Sequence, residues 1–420
     1  MTDHPILAGL SQAGMRMGLP RMRAFLAWLG NPHLAYPTIH VGGTNGKGSV
    51  CRMVGAMLEA QGYKVGITTS PHLQEVNERI RIGAAPIPDD KFASLVERID
   101  DERRKWAAKE LPPDERYPLT YFEFLIAAAF LHFAEEKVDV ALIEVGMGGR
   151  LDATNVVAPL VTAIVTVGLD HTEHLGPDHA SIAGEKAGIL KPDVPVVLGP
   201  LTHEAMAVIR SVAVERGAPL SIFGEDFRAG GDPSGFDYSG AVRREGLKLA
   251  LGGDHQVVNA AVALRIVELL PPSLAVGDDA VREGLATARN RGRLEWLAPD
   301  LLVDGAHNPD GATVLANYLA RLPRDRKRTL LLGAGTDKDV RSVAWTLAPQ
   351  VDRVYTTACD HPKARSPGDV AAELEGLPVP VSPAGALVDA LPFARADGSL
   401  VIVAGSLYLV GAVRDLAGVR

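Results

Sequence analysis

Apolar runs and helical periodicity alternate along almost the whole chain. Thr38 to Val41 is a short apolar run entering a glycine-rich turn, which predicts a buried strand. Ser49 to Gln61 carries apolar residues at helical spacing, and Gly62 stops it. Lys64 to Thr69 predicts a second strand. Tyr121 to Glu136 predicts a helix, Val138 to Glu144 a strand of continuous apolar character, and Val161 to Val167 another. Continuously apolar strands separated by helices predict βαβ units and a mostly parallel sheet covered on both faces. Phe223 to Gly253 breaks the pattern. It is rich in glycine and alternates polar with apolar residues, which predicts a small antiparallel excursion at the surface. Helical periodicity returns from Asp254 to Leu270, Pro271 and Pro272 end it, and a short helix is expected near Asp279 to Thr287.

From Leu294 a second α/β series begins. Its predicted strands are Leu301 to Val303, Thr329 to Leu332, Arg353 to Thr356 and Leu400 to Val403. Helices are expected near Pro309 to Leu322, Val340 to Leu347, Pro367 to Leu374 and Leu407 to Leu416. The boundary is expected near Ala288, giving domains 1–288 and 289–420. The predicted fold class is α/β: a phosphate-loop-type, mostly parallel sheet with flanking helices and a small antiparallel subsheet, then a smaller Rossmann-like α/β domain. A length of 420 residues suits two or three domains.

Composition adds limits. With 47% hydrophobic and 22% charged residues, the chain can bury large cores. The net charge of −8 and the lack of a basic tail argue against a nucleic-acid partner. A local pocket can still be basic enough for an anionic substrate. Cys51 and Cys359 form neither a disulfide framework nor a zinc spacing, and read as thiols in a reducing compartment. Met1 to Pro20 shows no signal pattern, and no apolar run reaches the ~18 residues of a membrane span. A cytoplasmic protein with no membrane partner is expected.

The chemistry starts at Gly43-Thr44-Asn45-Gly46-Lys47-Gly48-Ser49, between a predicted strand and a predicted helix. Glycines let backbone N–H groups approach phosphate oxygens, and a helix N-terminus adds positive potential. Lys47 would reach the β/γ-phosphates and the Ser49 hydroxyl would coordinate Mg²⁺. The standard phosphate loop has a glycine five positions before Gly46, where this chain has Val41. Glu144 ends a predicted strand just before another glycine-rich turn, at the edge where α/β sheets bind ligands. A hard oxygen ligand beside a triphosphate suits Mg²⁺. Asp170-His171-Thr172-Glu173-His174 gathers two histidines and two acids, but in no standard zinc spacing. Read from residue type alone, Lys186 is an exposed amine and His174 a solvated loop residue. Gln256 and Asn259 lie three apart on one helix face, where their amides could read adenine or ribose, or merely make that face polar.

The variant loop Gly43 to Ser49 resembles the ATP loop of the Mur ligase superfamily of amide-forming ligases. Gly48 is similar to the folate branch, which comprises dihydrofolate synthases and folylpolyglutamate synthases. Thr69-Ser70-Pro71-His72-Leu73 with Asn77 to Ile82 resembles that branch's loop after the second strand. Glu144-Val145-Gly146-Met147-Gly148-Gly149-Arg150-Leu151-Asp152-Ala153-Thr154-Asn155 is similar to its most distinctive signature. The resemblance runs from about Gly18 to Gly411.

The resemblance implies site residues. Thr44, Asn45, Gly46, Lys47, Gly48 and Ser49 would hold the nucleotide, with Asn259, Arg293 and Asp304. The family usually has Pro-Gly-Arg where this chain has Arg291-Gly292-Arg293. Ser49, Ser70, Glu144 and His171 would serve two Mg²⁺ ions. Lys186 would carry a carbamate formed with CO₂, which turns a cation into an anion and needs the neutral amine first. His307 would touch phosphate or the incoming amine. Met17, Gly18 and Leu19, Thr120, Tyr121, Phe122 and Glu123, and Leu151, Asp152 and Ala153 would form the pterin side. Phe122 could stack on a flat heterocycle or simply pack in the core. Asp337-Lys338-Asp339 and Gly405-Ser406-Leu407-Tyr408 match landmarks of the second domain and imply structure or closure.

The implied activity is ATP-dependent addition of L-glutamate to 7,8-dihydropteroate and then to reduced folates, through an acyl phosphate. A folylpolyglutamate synthase alone is the near alternative, and a phosphate-loop switch or motor ATPase the remote one. The implied cofactors are ATP as co-substrate and Mg²⁺, with room for a monovalent cation. The implied partners are small molecules, and the chain is expected to act as a monomer.

Overall fold

The computed structural model describes residues 4–11, 14, 16–110, 112, 115, 118–336 and 338–419. Asp337 of the second-domain landmark lies outside the described residues. The chain forms two compact units. The first comprises Met1–Gly168, Thr172–Ala250 and Gln256–Arg289; the second comprises Leu169–His171, Leu251–His255 and Asn290–Arg420.

The first unit is built on eight strands: β1 (Thr38–Gly42), β2 (Val65–Thr68), β3 (Ile80–Ile82), β4 (Ala85–Pro86), β5 (Val140–Glu144), β6 (Pro159–Ile164), β7 (Val196–Leu198) and β8 (Leu220–Ile222). Their order is β4-β3-β2-β5-β1-β6-β7-β8. β3 pairs antiparallel with both β2 and β4; the other neighbours are parallel. Every residue of β1 and of β5 is buried, as sequences apolar on both faces require. In register, Val41 on β1 faces Glu144 on β5, so both strands finish at the same sheet edge.

Helices cover the two faces. Lys47–Ala60 follows β1, with Val50, Met53, Val54 and Met57 buried. Tyr121–Glu135 precedes β5 and buries Phe124, Phe130 and Phe133 in a core with Ala141 and Ile143 of that strand. Thr120 caps this helix: its side chain accepts from the Glu123 N–H, and Glu123 accepts from the Thr120 N–H in return.

The predicted antiparallel excursion is a three-stranded sheet, β9 (Arg228–Asp232), β10 (Gly235–Ser239) and β11 (Arg243–Leu247), ordered β11-β10-β9. Phe236 and Tyr238 alternate inward from β10. Glu268, the last residue of the helix His255–Glu268, anchors this sheet. It accepts from the Tyr238 hydroxyl at 2.9 Å and from the Ala241 and Val242 N–H groups at 3.0 Å.

The second unit holds six strands: β12 (Glu295–Ala298), β13 (Leu301–Val303), β14 (Arg328–Leu332), β15 (Arg353–Ala358), β16 (Val381–Ala386) and β17 (Leu400–Ala404). The order is β12-β13-β17-β14-β15-β16, parallel apart from β12. Leu302, Leu330, Leu332 and Ile402 are fully buried with Leu315 and Leu319 of the helix Pro309–Arg321.

Several elements had no counterpart in the sequence reading. Strands β7 and β8 are three residues each, too short to show a period. β16 is a half-exposed Val-Ser-Pro-Ala-Gly-Ala edge, with a proline that only an edge tolerates. The helices Asp89–Ala107, His203–Glu215 and Leu387–Arg395 are amphipathic and polar enough to pass for surface chain. The strand expected from Val161 to Val167 ends at Ile164. Val165 still donates to the Gly42 carbonyl, and the next residue turns its hydrogen bonds onto the phosphate loop. Among the described residues no helix is long and apolar enough to cross a membrane.

Candidate nucleotide and acceptor site

The phosphate loop is fixed by its own backbone and by the chain after β6. Gly43 and Gly46 have φ of 143° and 85°, which a side chain resists. Thr44 donates its N–H to the Thr166 carbonyl at 2.9 Å, and its hydroxyl lies 3.1 Å from the Gly168 carbonyl. The Asn45 N–H donates to the Thr166 hydroxyl at 2.8 Å, and that hydroxyl donates to the Asn45 carbonyl at 3.0 Å. Thr166 is therefore a staple for the loop, and no motif in the sequence marked it. Lys47 curls over the loop, its Nζ 3.0 Å from the carbonyls of Gly43 and Thr44. The helix that follows has no side-chain N-cap; Gly46 occupies that position. A helix N-terminus of this kind is suited to holding an anion.

Asn259 and Gln256 belong to this loop. Both are buried, and the Asn259 amide donates to Gln256 Oε1 at 3.0 Å. Gln256 Nε2 donates to the Ser49 hydroxyl at 3.3 Å. A Cβ on Gly46 would lie 2.6 Å from Asn259 Oδ1 and 2.7 Å from Val165 Cγ1. The two amides thus brace the loop from behind.

Glu144 is 5% exposed at the end of β5, and its Oε2 accepts from the Ser70 N–H at 2.9 Å. This bond ties the chain after β2 to the end of β5. Ser49 is buried on the helix after β1. Among the described residues no three His, Cys, Asp or Glu side chains gather as a ready metal cage. An oxygen set of hydroxyls and one carboxylate fits Mg²⁺, which commonly takes one or two carboxylates and completes its shell with phosphate and water. Lys186 is not the exposed amine that residue type suggested. It is 3% exposed on the helix His179–Ala187, whose backbone packs against Gly149.

Among the described residues, the segments expected to form the pterin side meet at Phe122 with Gly146 and at Glu123 with Arg21. A Cβ on Gly146 would lie 2.4 Å from Phe122 Cζ, so the Phe122 ring rests on the glycine-rich turn after Glu144. The Glu123 carboxylate takes four contacts from the Arg21 guanidinium at 2.7 to 3.1 Å, with side chains 3% and 6% exposed. Arg21 also donates to the Arg16 carbonyl at 3.2 Å, tying the strip that leads to Met17, Gly18 and Leu19. Met17 is 40% exposed and Leu19 half-buried. Arg79 lies 5.5 Å over the Tyr121 ring. Asp152 is turned inward: it accepts from the Met147 N–H at 2.9 Å, the Thr154 N–H at 2.9 Å and the Thr154 hydroxyl at 2.5 Å. Burial raises its pKa against those bonds. Leu151 is half-buried and Ala153 is buried. The carboxylates of Glu123 and Asp152 are both spent on the protein's own groups. Arg21, which pairs with Glu123, had no sequence signal, because its partner lies 102 residues away.

In the second unit, Asp304 is buried after β13 and accepts from the N–H groups of Leu294 at 2.8 Å and Ala306 at 2.7 Å. Burial raises its pKa, and the Arg293 charge opposes this. Arg293 lies against Gly305, where a Cβ would come within 3.1 Å of its Nη1. His307 Nδ1 donates to the Gly305 carbonyl at 2.7 Å, which leaves Nε2 3.6 Å from Asp170 Oδ2. Asp170 also takes Lys338 Nζ at 2.8 Å and the Asn308 amide at 3.2 Å. Burial would raise the Asp170 pKa, but His307 and the Lys338 charge hold the carboxyl well below the usual range. His171 adopts a left-handed φ of 52°, and its N–H donates to Asp170 Oδ1.

The family model described as "Mur ligase, glutamate ligase domain" matches residues 292–407. The dihydrofolate synthase/folylpolyglutamate synthase of Bacillus subtilis is 34% identical over 420 residues, covering 97% of this chain and 96% of that protein. The chain belongs to the dihydrofolate synthase/folylpolyglutamate synthase family. Among solved structures, Escherichia coli FolC in complex with DHPP and ADP shares 31% identity and a TM-score of 0.88, covering 99% of this chain and 98% of that one. A bifunctional folylpolyglutamate synthase/dihydrofolate synthase with Mn, AMPPNP and L-glutamate bound gives 31% and 0.86, with the same coverage. This family is the folate branch that the Gly43–Ser49 and Glu144–Asn155 motifs resemble.

Proposed function

We propose that this protein is an ATP-dependent ligase that joins L-glutamate to 7,8-dihydropteroate, giving dihydrofolate, and adds further glutamates to reduced folates. The observation that carries the proposal is the shared edge of β1 and β5. There the Lys47 loop leaves one strand, and the Glu144 carboxylate, held by the Ser70 N–H, ends the next.

The acceptor carboxylate attacks the γ-phosphorus of ATP, and ADP leaves. The glutamate amine then attacks the acyl carbon, loses a proton, and phosphate departs. No protein nucleophile is required; the protein positions the groups and stabilises charge. Thr44 to Ser49 hold the phosphates through N–H groups and Lys47, while Thr166, Gln256 and Asn259 keep that loop rigid. By the family resemblance, Arg293 and Asp304 would contact the nucleotide, and His307 would touch phosphate or the incoming amine. Ser49, Ser70, Glu144 and His171 would hold Mg²⁺, which neutralises phosphate charge when bound. Lys186 would bear a carbamate, which turns the side chain from a cation into an anion able to serve a bound cation. A monovalent cation is the remaining expected ion.

Phe122, Leu151, Ala153 and Met17 to Leu19 line the acceptor side, with Thr120 and Tyr121 at the helix start. Glu123 and Asp152 serve there by holding backbone. The enzyme acts as a cytoplasmic monomer on small molecules, and its two cysteines are free thiols.

Purified protein with ATP, Mg²⁺ and labelled glutamate should couple glutamate to 7,8-dihydropteroate and also to tetrahydrofolate. Coupling to tetrahydrofolate alone would remove the first activity. Phosphate release with no amide product would overturn the ligase reading.

A further inference from the structure

His40 sits in the middle of β1, three residues before the phosphate loop begins, and is fully buried. Its β-partners are Ile143 on β5 and Thr162 on β6. Ile143 belongs to the core formed with the helix Tyr121–Glu135, so His40 points to the acceptor-side face of the sheet. A fully buried histidine between apolar strands is costly unless hydrogen-bonded.

Among the described residues the His40 side chain makes one hydrogen bond. Nε2 lies 2.9 Å from the Thr154 hydroxyl oxygen. That hydroxyl has a single proton, and the Asp152 carboxylate 2.5 Å away can only accept it. The Thr154 oxygen must therefore accept from His40, so the ring proton is on Nε2. Among the described residues Nδ1 has no hydrogen-bond partner, as suits the nitrogen without a proton. Burial, with the nearby Lys191 charge, pushes the His40 pKa down to about 3, so the ring is neutral near pH 7.

The bonds form a chain with a fixed direction. His40 Nε2–H donates to Thr154, Thr154 donates to Asp152, and the other Asp152 oxygen accepts the Met147 N–H. Met147 and Thr154 bracket Leu151 to Ala153. Lys191 pins the far side by donating to the Asn155 carbonyl at 2.9 Å and to its side-chain oxygen at 2.8 Å. We propose that His40 is a positioning residue for the acceptor substrate: through Thr154 and Asp152 it sets the conformation of the Gly146–Asn155 loop. The proposal rests on the reading that this loop lines the pterin side.

The test compares His40→Leu, which removes the donor, with His40→Gln, whose Nε2 can reach the place of the ring Nε2–H. Thr154→Val cuts the chain one step further on without changing side-chain shape. Thermal melts establish that each variant is folded. In His40→Leu the KM for 7,8-dihydropteroate should rise about tenfold, what one buried hydrogen bond of ~1.4 kcal/mol supplies. The KM for ATP should stay within about twofold, since direct phosphate contacts are untouched. His40→Gln should recover most of the loss. Thr154→Val should reproduce it, and the His40→Leu/Thr154→Val pair should be no worse than either alone. Equal rises in both KM values, no rise in folded His40→Leu or Thr154→Val, or no recovery by glutamine would each overturn the proposal. Leu151→Ala separates the two claims. If it raises the acceptor KM while Thr154→Val does not, the loop reading stands and His40 is only structural. If Leu151→Ala changes nothing, both fall. Selective ¹⁵N-histidine labelling gives a readout independent of activity: His40 should show a protonated Nε2 and a bare Nδ1, and the reverse tautomer would refute the chain.

Discussion

Replacing Arg21 with methionine removes a guanidinium from a site where both partners are nearly dry. The Arg21 and Glu123 side chains are 6% and 3% exposed, with four N–O contacts between 2.7 and 3.1 Å. Glu123 would keep its bonds from the Thr120 N–H and hydroxyl, both at 2.8 Å, but lose its counter-charge. Breaking one side of a buried pair typically costs about 3–5 kcal/mol, because the remaining ion stays buried without compensation. Against a typical total of about 5–15 kcal/mol, that is a large share. At about 2–4 °C per kcal/mol for a unit of this size, melting should fall by roughly 6–20 °C. Urea denaturation of Arg21→Met, Glu123→Gln and the double variant forms the assay. The double variant should be clearly more stable than the sum of the single losses implies, since neither charge is then stranded. The acceptor KM should rise in Arg21→Met, because the pair joins the Met17–Leu19 strip to the start of the Tyr121–Glu135 helix. Single losses that add to within about 0.5 kcal/mol would refute the coupling and with it this reasoning.

Lys47→Ala should lower kcat about 10²- to 10³-fold in both glutamate couplings, the usual loss of one preorganised charge contact, as read by labelled-glutamate incorporation. Gly46→Ala should cost about 1–2 kcal/mol for its left-handed φ alone, plus the clash with Asn259 Oδ1, and Asn259→Ala in the same chain should recover part of the ATP affinity. Lys186→Ala should lose activity that added short carboxylates partly restore; full activity without them would argue against a carbamate. His40 makes stability acid-sensitive. Its folded pKa of about 3 lies below the ordinary 6.5, so between those values the unfolded chain binds the extra proton. Stability from this residue is fully present above pH 6.5 and falls by about 1.4 kcal/mol per pH unit as pH drops toward 3. A His40→Gln variant should lack this component in urea titrations across pH.

The sequence by itself determined the α/β architecture, because buried parallel strands need continuous apolar runs and the helices between them need a 3.6-residue period. It also marked Gly43 to Ser49, Glu144 and the Gly146–Asn155 signature, since approach of backbone to phosphate or metal restricts which residues can stand there. It overlooked β7, β8 and β16, whose lengths and edge positions leave no periodic trace. Only the tertiary structure decided what the polar residues do. Gln256 and Asn259 looked free to read a base, yet they are buried against the phosphate loop. Glu123 and Asp152 looked like ligand contacts, yet they hold Arg21, Thr154 and backbone N–H groups. Lys186 looked exposed and is buried. Thr166, Arg21 and His40 carried no motif at all. For Arg21, His40, Thr166 and Gln256 the reason is the same: a hydrogen bond or ion pair acts over about 3 Å in space between positions 102 to 207 residues apart in the chain. Hydrophobic patterning is local and survives in one dimension. Pairing of polar groups is not, and appears only when the chain has folded.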